Sequence, residues 1–159
     1  MKASPQDILK ETQRTLDLVA KTELTDEDKL WVTEMTANGY ANNVNPGILE
    51  YRKSVSTEYI SVEWSDSANS FTDIKGKKYL DLLGGYGIFN VGHRHPKVVE
   101  AVTNQLKRQA LHSQELLEPF RAILAKLIAD ITPGDLQYSF FGNSGAEAVE
   151  GAMKLAMLH

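Results

Sequence analysis

The stretch SFFGNSGAEAVEG, residues 139–151, constrains the fold more than any other part of this 159-residue chain. An apolar run meets a corner of small residues, Gly142–Gly145, and apolar residues then recur at helical spacing. A strand that turns directly into a helix is the repeating unit of α/β folds. The pattern therefore predicts a strand over Gln137–Phe141 and a helix from Gly145 onward.

The corner itself has two interpretations. The first N–H groups of a helix have no intrahelical acceptor, and the helix macrodipole adds a partial positive charge at this end. Small residues let a phosphate approach such a helix end closely, and the segment Asn143–Ala146 provides this surface. Ser144 to Glu147 is also S-x-x-E, the pattern of a capping box that only closes a helix. From these residues alone, phosphate binding and simple capping stay equally open.

The first 47 residues are predicted to form a helical arm. Ser4 precedes a proline and Asp7, which is typical of a helix start. Thr25 precedes an acidic run that favours the start of a second helix, and Gly39 is a suitable end for it. Because these helices are short of apolar surface, we expect an arm and not a closed domain.

A small antiparallel sheet with a glycine-rich segment is predicted for residues 48–95. Apolar and polar residues alternate over 61–64, 71–74 and 78–82, and the last two runs flank a Lys-Gly-Lys turn. Four glycines follow over residues 84–92, which indicates backbone placed close to another group.

Residues 96–159 are predicted to start a larger α/β domain. Helical patterns run from Pro96 to about Gln109 and from about Leu116 to Ile131, ahead of the strand and the last helix. A parallel sheet needs further strands joined by crossovers, so we expect these residues to belong to a larger protein.

The composition excludes several classes of protein. The hydrophobic content of 42% is enough for a core, and the net charge of −4 argues against nucleic acid as a partner. The chain has no cysteine, and His93 and His95 have no clustered carboxylates beside them, so we expect no metal site. No apolar run approaches the roughly 18 residues of a membrane helix. We therefore expect a soluble, cytoplasmic protein.

The stretch FFGNSGAEAVEGAMKLA resembles the phosphate corner of class III pyridoxal-phosphate-dependent aminotransferases, the ornithine and acetylornithine type. YLDLLGGYGIFNVGHRHPKVVEAV resembles the same family, and VNPGILEYRKS and LHSQELLEPFRAILAKL are most similar to its putrescine (diamine) branch. The resemblance covers residues 42–159. It implies the N-terminal part of a fold type I transferase: an incomplete three-layer α/β/α large domain, preceded by a helical arm and a small antiparallel sheet.

The resemblance assigns the cofactor residues one by one. The family's Ser-Gly-small triplet holds the phosphate of pyridoxal 5'-phosphate, and it corresponds to Ser144, Gly145 and Ala146. The family often has Thr at the third position, so Ala146 keeps the N–H and lacks a hydroxyl. Glu147 matches an acidic residue near the cofactor, a role that can coexist with capping.

The resemblance also implies a substrate channel. Gly84–Gly87 resembles backbone at the active-site entrance near a dimer interface, so Gly85 and Tyr86 are expected to line the channel; for Tyr86 a buried core position stays open. Gln114 resembles a channel residue of the diamine branch. We therefore expect an amine and a 2-oxo acid as substrates, and a homodimer or higher homo-oligomer.

The family's central catalytic groups are expected outside these residues. Family members place the lysine that bonds to the cofactor, and the aspartate at its pyridine nitrogen, beyond the phosphate corner, and Lys154 is a helix-face lysine. We expect the complete enzyme to move an amino group from a diamine or ω-amino donor to a 2-oxo acid, and the isolated chain to be inactive. The alternatives are a non-catalytic dimerising or interaction module, and part of an ornithine or acetylornithine aminotransferase.

Overall fold

The computed structural model describes residues 4–113 and 115–158. The chain divides into two compact units, of which one ends at Val102 and the other begins at Thr103. The domain limits after residues 47 and 95 stay a prediction. The elements follow in the order α1 (Pro5–Ala20), α2 (Asp26–Gly39), a π-helical turn (Tyr40–Val44), α3 (Pro46–Val55), β1 (Glu63–Ser67), β2 (Ser70–Asp73), β3 (Lys78–Leu80), a single turn α4 (Gly84–Gly87), α5 (Pro96–Arg108), α6 (Pro119–Ile131) and α7 (Gly145–Met157).

The first two helices begin at the predicted residues because each is closed by a capping box. Ser4 Oγ accepts a hydrogen bond from the Asp7 amide at 3.2 Å, and the Asp7 carboxylate accepts one from the Ser4 amide at 3.1 Å. Thr25 and Asp28 make the same exchange at the start of α2, at 3.2 and 3.0 Å. The second helix ends at Gly39, as predicted.

Asp28 also joins the first two helices. Its buried side chain accepts a hydrogen bond from the Lys21 ammonium, just after α1, at 2.7 Å. The Lys21 ammonium, together with the hydrogen bonds from Thr25, lowers the pKa of Asp28 from 3.8 to about 2. The Arg14 guanidinium lies 4.5 Å from the centre of the Trp31 ring, which adds a cation–π contact between the helices.

A three-stranded antiparallel sheet in the order β1-β2-β3 confirms the predicted hairpin pattern. Phe71 pairs with Tyr79 across the last two strands, and their rings stack with centroids 5.3 Å apart. The Asp73 carboxylate closes the turn between these strands, because it accepts hydrogen bonds from the amides of Lys75 and Lys77 at 2.9 and 2.8 Å.

The predicted strand Gln137–Phe141 is wrong, since the structure gives these residues no strand. A strand is stable when a neighbour completes its ladder of hydrogen bonds, and within residues 4–113 and 115–158 no strand pairs with this segment. Phe140 instead packs near α7, where a Cβ added to Gly151 would meet its ring at 3.0 Å. The predicted helix from Gly145 is confirmed.

Glu118 caps α6, because its carboxylate accepts hydrogen bonds from the amides of Phe120 and Arg121, and these bonds lower the pKa of that carboxyl.

The helices of the second unit expose apolar side chains. Large contiguous patches of exposed apolar surface mark sites of protein or membrane contact, or ligand-binding grooves. The exposed apolar residues of α6 are Phe120, Ile123, Leu124, Leu127 and Ile131.

Among the helices that the structure describes, none has the length and apolar character needed to cross a membrane.

Replacing Asp28 with Asn tests whether its charge holds the first two helices together. A carboxyl with a lowered pKa stabilises the fold above its ordinary pKa of 3.8, and this stabilisation is lost as the pH falls to about 2. We expect the free energy of unfolding to fall across this range in the parent, and Asp28→Asn to be less stable at pH 6 with a flatter pH profile. Urea unfolding followed by circular dichroism measures both. Glu34→Gln, at an exposed position of α2, is the control, and an equal loss there would contradict the prediction.

Candidate functional site

The corner before α7 is closed by a reciprocal cap. Ser144 has extended backbone, and its Oγ accepts a hydrogen bond from the Glu147 amide at 3.2 Å. The Glu147 carboxylate reaches back and accepts one from the Asn143 amide at 2.6 Å. The capping interpretation is therefore confirmed, with the return bond one residue earlier than in a standard capping box.

This cap leaves the next amides available. In the described part of the chain, the N–H groups of Gly145 and Ala146 have no hydrogen-bond acceptor. A Cβ added to Gly145 would meet no atom within 4 Å, so space lies open in front of these donors. Free N–H groups, open space and the positive end of a 13-residue helix fit an anion such as a phosphate group. Phosphate binding by these residues stays a prediction.

The glycine segment forms α4, a single turn wound in the left-handed sense. Gly85 and Tyr86 have φ values of 58° and 57°, between positive φ values at Gly84 and Gly87. A Cβ on Gly85 would lie 2.6 Å from the Phe89 ring, so this position requires glycine for its backbone and for its space.

Tyr86 is not part of a core in this chain. Its side chain is 88% exposed, and a tyrosine with positive φ is rare. The strained turn thus presents a phenol to the surroundings. The other predicted channel residue, Gln114, lies outside the described residues.

Sequence reasoning missed a buried cluster at His93. Its Nδ1 lies 3.0 Å from Asp66 Oδ2, on β1, and its Nε2 lies 2.7 Å from Asp81 Oδ2, just after β3. The His93 side chain is 5% exposed. The sequence offered a histidine that follows a glycine, together with two acidic residues, Asp66 and Asp81, in or beside strand patterns. Only the folded sheet brings the three residues together.

Within this cluster, His93 and Asp81 shift each other's pKa. Asp81, as the largest cause, and Asp66 raise the pKa of the His93 imidazole above its ordinary value of 6.5. The hydrogen bond from His93, followed by those from the amides of Gly84 and Leu83, lowers the pKa of the Asp81 carboxyl below 3.8. His93 and Asp81 therefore each favour the ionised form of the other.

Comparison with known proteins assigns the family. A family model described as aminotransferase class-III matches residues 52–159, more than half of the chain. The chain belongs to the class III aminotransferases. Enzymes of this family depend on pyridoxal phosphate, and the predicted resemblance is confirmed.

A curated relative of this aminotransferase chain is the putrescine aminotransferase of Pectobacterium atrosepticum. The two are 53% identical over an alignment of 148 residues, and the match covers 91% of this chain and 32% of that protein. The chain thus spans about a third of the length of the curated relative.

Solved structures of aminotransferases share the fold. The taurine:2-oxoglutarate aminotransferase of Bifidobacterium kashiwanohense, in complex with PLP and glutamate, has a TM-score of 0.66 at 25% identity, covering 87% of this chain and 28% of its own. The acetylornithine aminotransferase of Elizabethkingia anophelis has a TM-score of 0.63 at 30% identity, covering 78% of this chain and 28% of its own. The predicted α/β class, part of a fold type I transferase, is confirmed.

Removing the Ser144 hydroxyl tests the cap of α7. Ser144→Ala leaves the Glu147 amide without its acceptor, and we expect a loss of about 1 kcal/mol in the free energy of unfolding. Urea unfolding measures the change. Ser139→Ala, in the segment before the corner, is the control and should stay within about 0.5 kcal/mol of the parent. A neutral Ser144→Ala would mean that the hydroxyl does not stabilise the helix.

Proposed function

We propose that this chain forms the N-terminal part of a pyridoxal-phosphate-dependent aminotransferase that moves an amino group from a diamine or ω-amino donor, such as putrescine, to a 2-oxo acid. The observation that carries the proposal is the 53% identity with a putrescine aminotransferase over 91% of the chain. The whole protein is proposed to act in the cytoplasm as a homodimer or higher homo-oligomer.

Ser144, Gly145 and Ala146 are proposed to hold the cofactor phosphate. The free N–H groups of Gly145 and Ala146 donate to the phosphate oxygens, and the dipole of α7 favours their charge. The Ser144 hydroxyl accepts from the Glu147 amide and keeps its own proton for the phosphate. Bound pyridoxal phosphate supplies a ring that withdraws electrons from the donor carbon.

Glu147 is proposed to hold the corner in place beside the cofactor. Its carboxylate accepts a hydrogen bond from the Asn143 amide at 2.6 Å, so the charged group lies against the backbone that precedes α7. This bond fixes the path of the chain into Ser144. A direct contact of Glu147 with the cofactor remains part of the proposal.

Gly85, Tyr86 and Gln114 are proposed to line the path of the amine. The exposed Tyr86 ring offers a π-face, which attracts an ammonium group at the far end of a diamine, and an apolar edge for its methylene groups. Gly85 keeps the turn that presents this ring, because any larger residue would meet Phe89.

The isolated 159 residues are proposed to be inactive. The support is their span of about a third of the relative's length, together with the expectation that the family's cofactor-bonding lysine lies beyond the corner. A non-catalytic interaction module is the second candidate, and the exposed apolar side chains of α6 favour it.

A panel of amino donors tests the proposed substrate class. The complete enzyme that contains these residues is incubated with 2-oxoglutarate and putrescine, ornithine, acetylornithine or taurine, and glutamate formation is followed. We expect the highest kcat/KM with putrescine. A higher value with ornithine or acetylornithine would support the alternative branch. No transamination with any donor would favour the interaction module.

Two substitutions at Gly145 separate an anion site from a simple cap. A helix cap tolerates alanine at this first helical position, because alanine favours a helix more than glycine does. A phosphate at the corner does not, because each added carbon occupies its space. We expect the Kd for pyridoxal phosphate to rise in the order parent, Gly145→Ala, Gly145→Val, by about tenfold or more for valine.

Absorbance titration of the complete enzyme with pyridoxal phosphate measures these constants. Gly39→Val is the matched control, since a Cβ at Gly39 also meets no atom within 4 Å. A Gly145→Val variant that binds the cofactor as tightly as the parent would reduce the corner to a helix cap.

A further inference from the structure

The loop between β3 and α5 is arranged around one buried imidazole. Asp81 Oδ2 accepts Nε2–H of His93 at 2.7 Å, and the other Asp81 oxygen accepts the amides of Leu83 and Gly84, each at 2.9 Å. Gly84 is the first residue of α4. The Asp81 carboxylate therefore connects the imidazole to the start of the left-handed turn.

His93 also contacts the residue that closes this turn. The Phe89 ring stacks on the imidazole with centroids 3.9 Å apart. The Phe89 amide donates to the Gly84 carbonyl at 3.2 Å, and the Phe89 ring fills the space beside Gly85. The two ends of α4 are thus linked to His93, the first through Asp81 and the second through Phe89.

The opposite side of His93 is attached to the sheet. Its Nδ1 donates to Asp66 of β1 at 3.0 Å, and its backbone exchanges two hydrogen bonds with Ala68, at 2.7 and 3.1 Å. Gly92 passes so close that a Cβ would lie 2.8 Å from the Ala68 carbonyl oxygen. The imidazole is therefore held by the sheet and holds α4 in turn.

The arrangement requires a charged imidazole. Ionised carboxylates only accept hydrogen bonds, so both ring nitrogens of His93 must donate. The Arg94 guanidinium lies 3.8 Å from the other oxygen of Asp66 and brings a second positive charge. Two cations then balance two carboxylates around an imidazole that is 5% exposed, and a buried charge needs such pairing. We call His93, Asp66 and Asp81 the His93 cluster.

The geometry points to His93 as a positioning residue of the proposed aminotransferase: its imidazolium, held between Asp66 and Asp81, keeps α4 left-handed and so fixes Tyr86 at the substrate channel. The inference rests on the proposed function, because it needs Tyr86 to face the amine. A neutral imidazole has one N–H, so one of the two carboxylates would face a lone pair and the turn would loosen.

The His93 cluster works over a defined pH range. The raised pKa of His93 means that its stabilisation is complete below pH 6.5 and is lost as the pH rises through the folded-state value. The lowered pKa of Asp81 means that its stabilisation is present above pH 3.8 and is lost as the pH falls through the folded-state value. The turn is therefore most ordered at mildly acidic to neutral pH.

Amide hydrogen exchange measures the order of α4 in the full chain. At pH 6 we expect the amides of Gly84 and Phe89 to exchange at least about tenfold faster in His93→Gln than in the parent, and the amides of β2 to be unchanged. His93→Phe, which keeps the ring stack without the charge, is expected to lose the same protection. His95→Gln is the matched control, because Nδ1 of His95 has no hydrogen-bond partner among the described residues.

Equal exchange in the parent and in either His93 variant overturns the inference. If both variants fail to fold, the parent alone decides. The exchange rate of the Gly84 amide in the parent, corrected for intrinsic base catalysis, must rise as His93 loses its proton. The ring nitrogen chemical shifts of His93 measure that loss. Exchange that does not follow this titration overturns the inference.

Kinetics of the complete enzyme separate positioning from general stability. We expect His93→Gln to raise the KM for the amine about tenfold, to keep the Kd for pyridoxal phosphate within about twofold, and to remove the parent's rise of KM at alkaline pH. An unchanged KM and pH profile, with α4 loosened, overturns the positioning role. A parent that neither binds cofactor nor transaminates contradicts the proposed function, and the exchange experiment still tests the cluster.

Discussion

One imidazolium between two carboxylates determines how the sheet, the glycine turn and the start of α5 fit together. Buried charges are tolerated when each finds a partner, and here the partners of His93 come from β1 and from the end of β3. All three groups are satisfied only when the sheet has its observed register. Two residues after His93, the His95 carbonyl accepts the amides of Val98 and Val99 and begins α5. One ionic cluster thus fixes three elements that local sequence patterns specify separately.

The sequence predicts the features whose causes are local. Ser4 and Thr25 begin helices because a hydroxyl and a carboxylate three residues later satisfy free amides, and both are read directly from the spacing. The alternation of apolar and polar residues over 71–74 and 78–82 predicts the hairpin of β2 and β3. This cause is also local, because the pattern lies within the residues that form the hairpin. The cap at Ser144 also follows from four consecutive residues.

The features that sequence reasoning missed depend on distant partners. Gln137–Phe141 is as apolar as a strand, but strand formation needs a neighbouring strand, and the described chain offers none. His93 meets Asp66 across 27 residues and Asp81 across 12, so no short pattern reveals the cluster. The return bond of Glu147 goes to the Asn143 amide and not to the Ser144 amide, which the S-x-x-E pattern does not specify.

The left-handed backbone at Tyr86 limits how this family member can change through evolution. At a φ of 57° the Cβ of most residues lies too close to the backbone, and β-branched residues fit this conformation worst. Asparagine, aspartate and glycine adopt it most readily, yet none of them carries an aromatic face. A lineage that adopts one of these three residues therefore gives up the exposed ring, whereas another aromatic residue carries the same backbone strain as Tyr86.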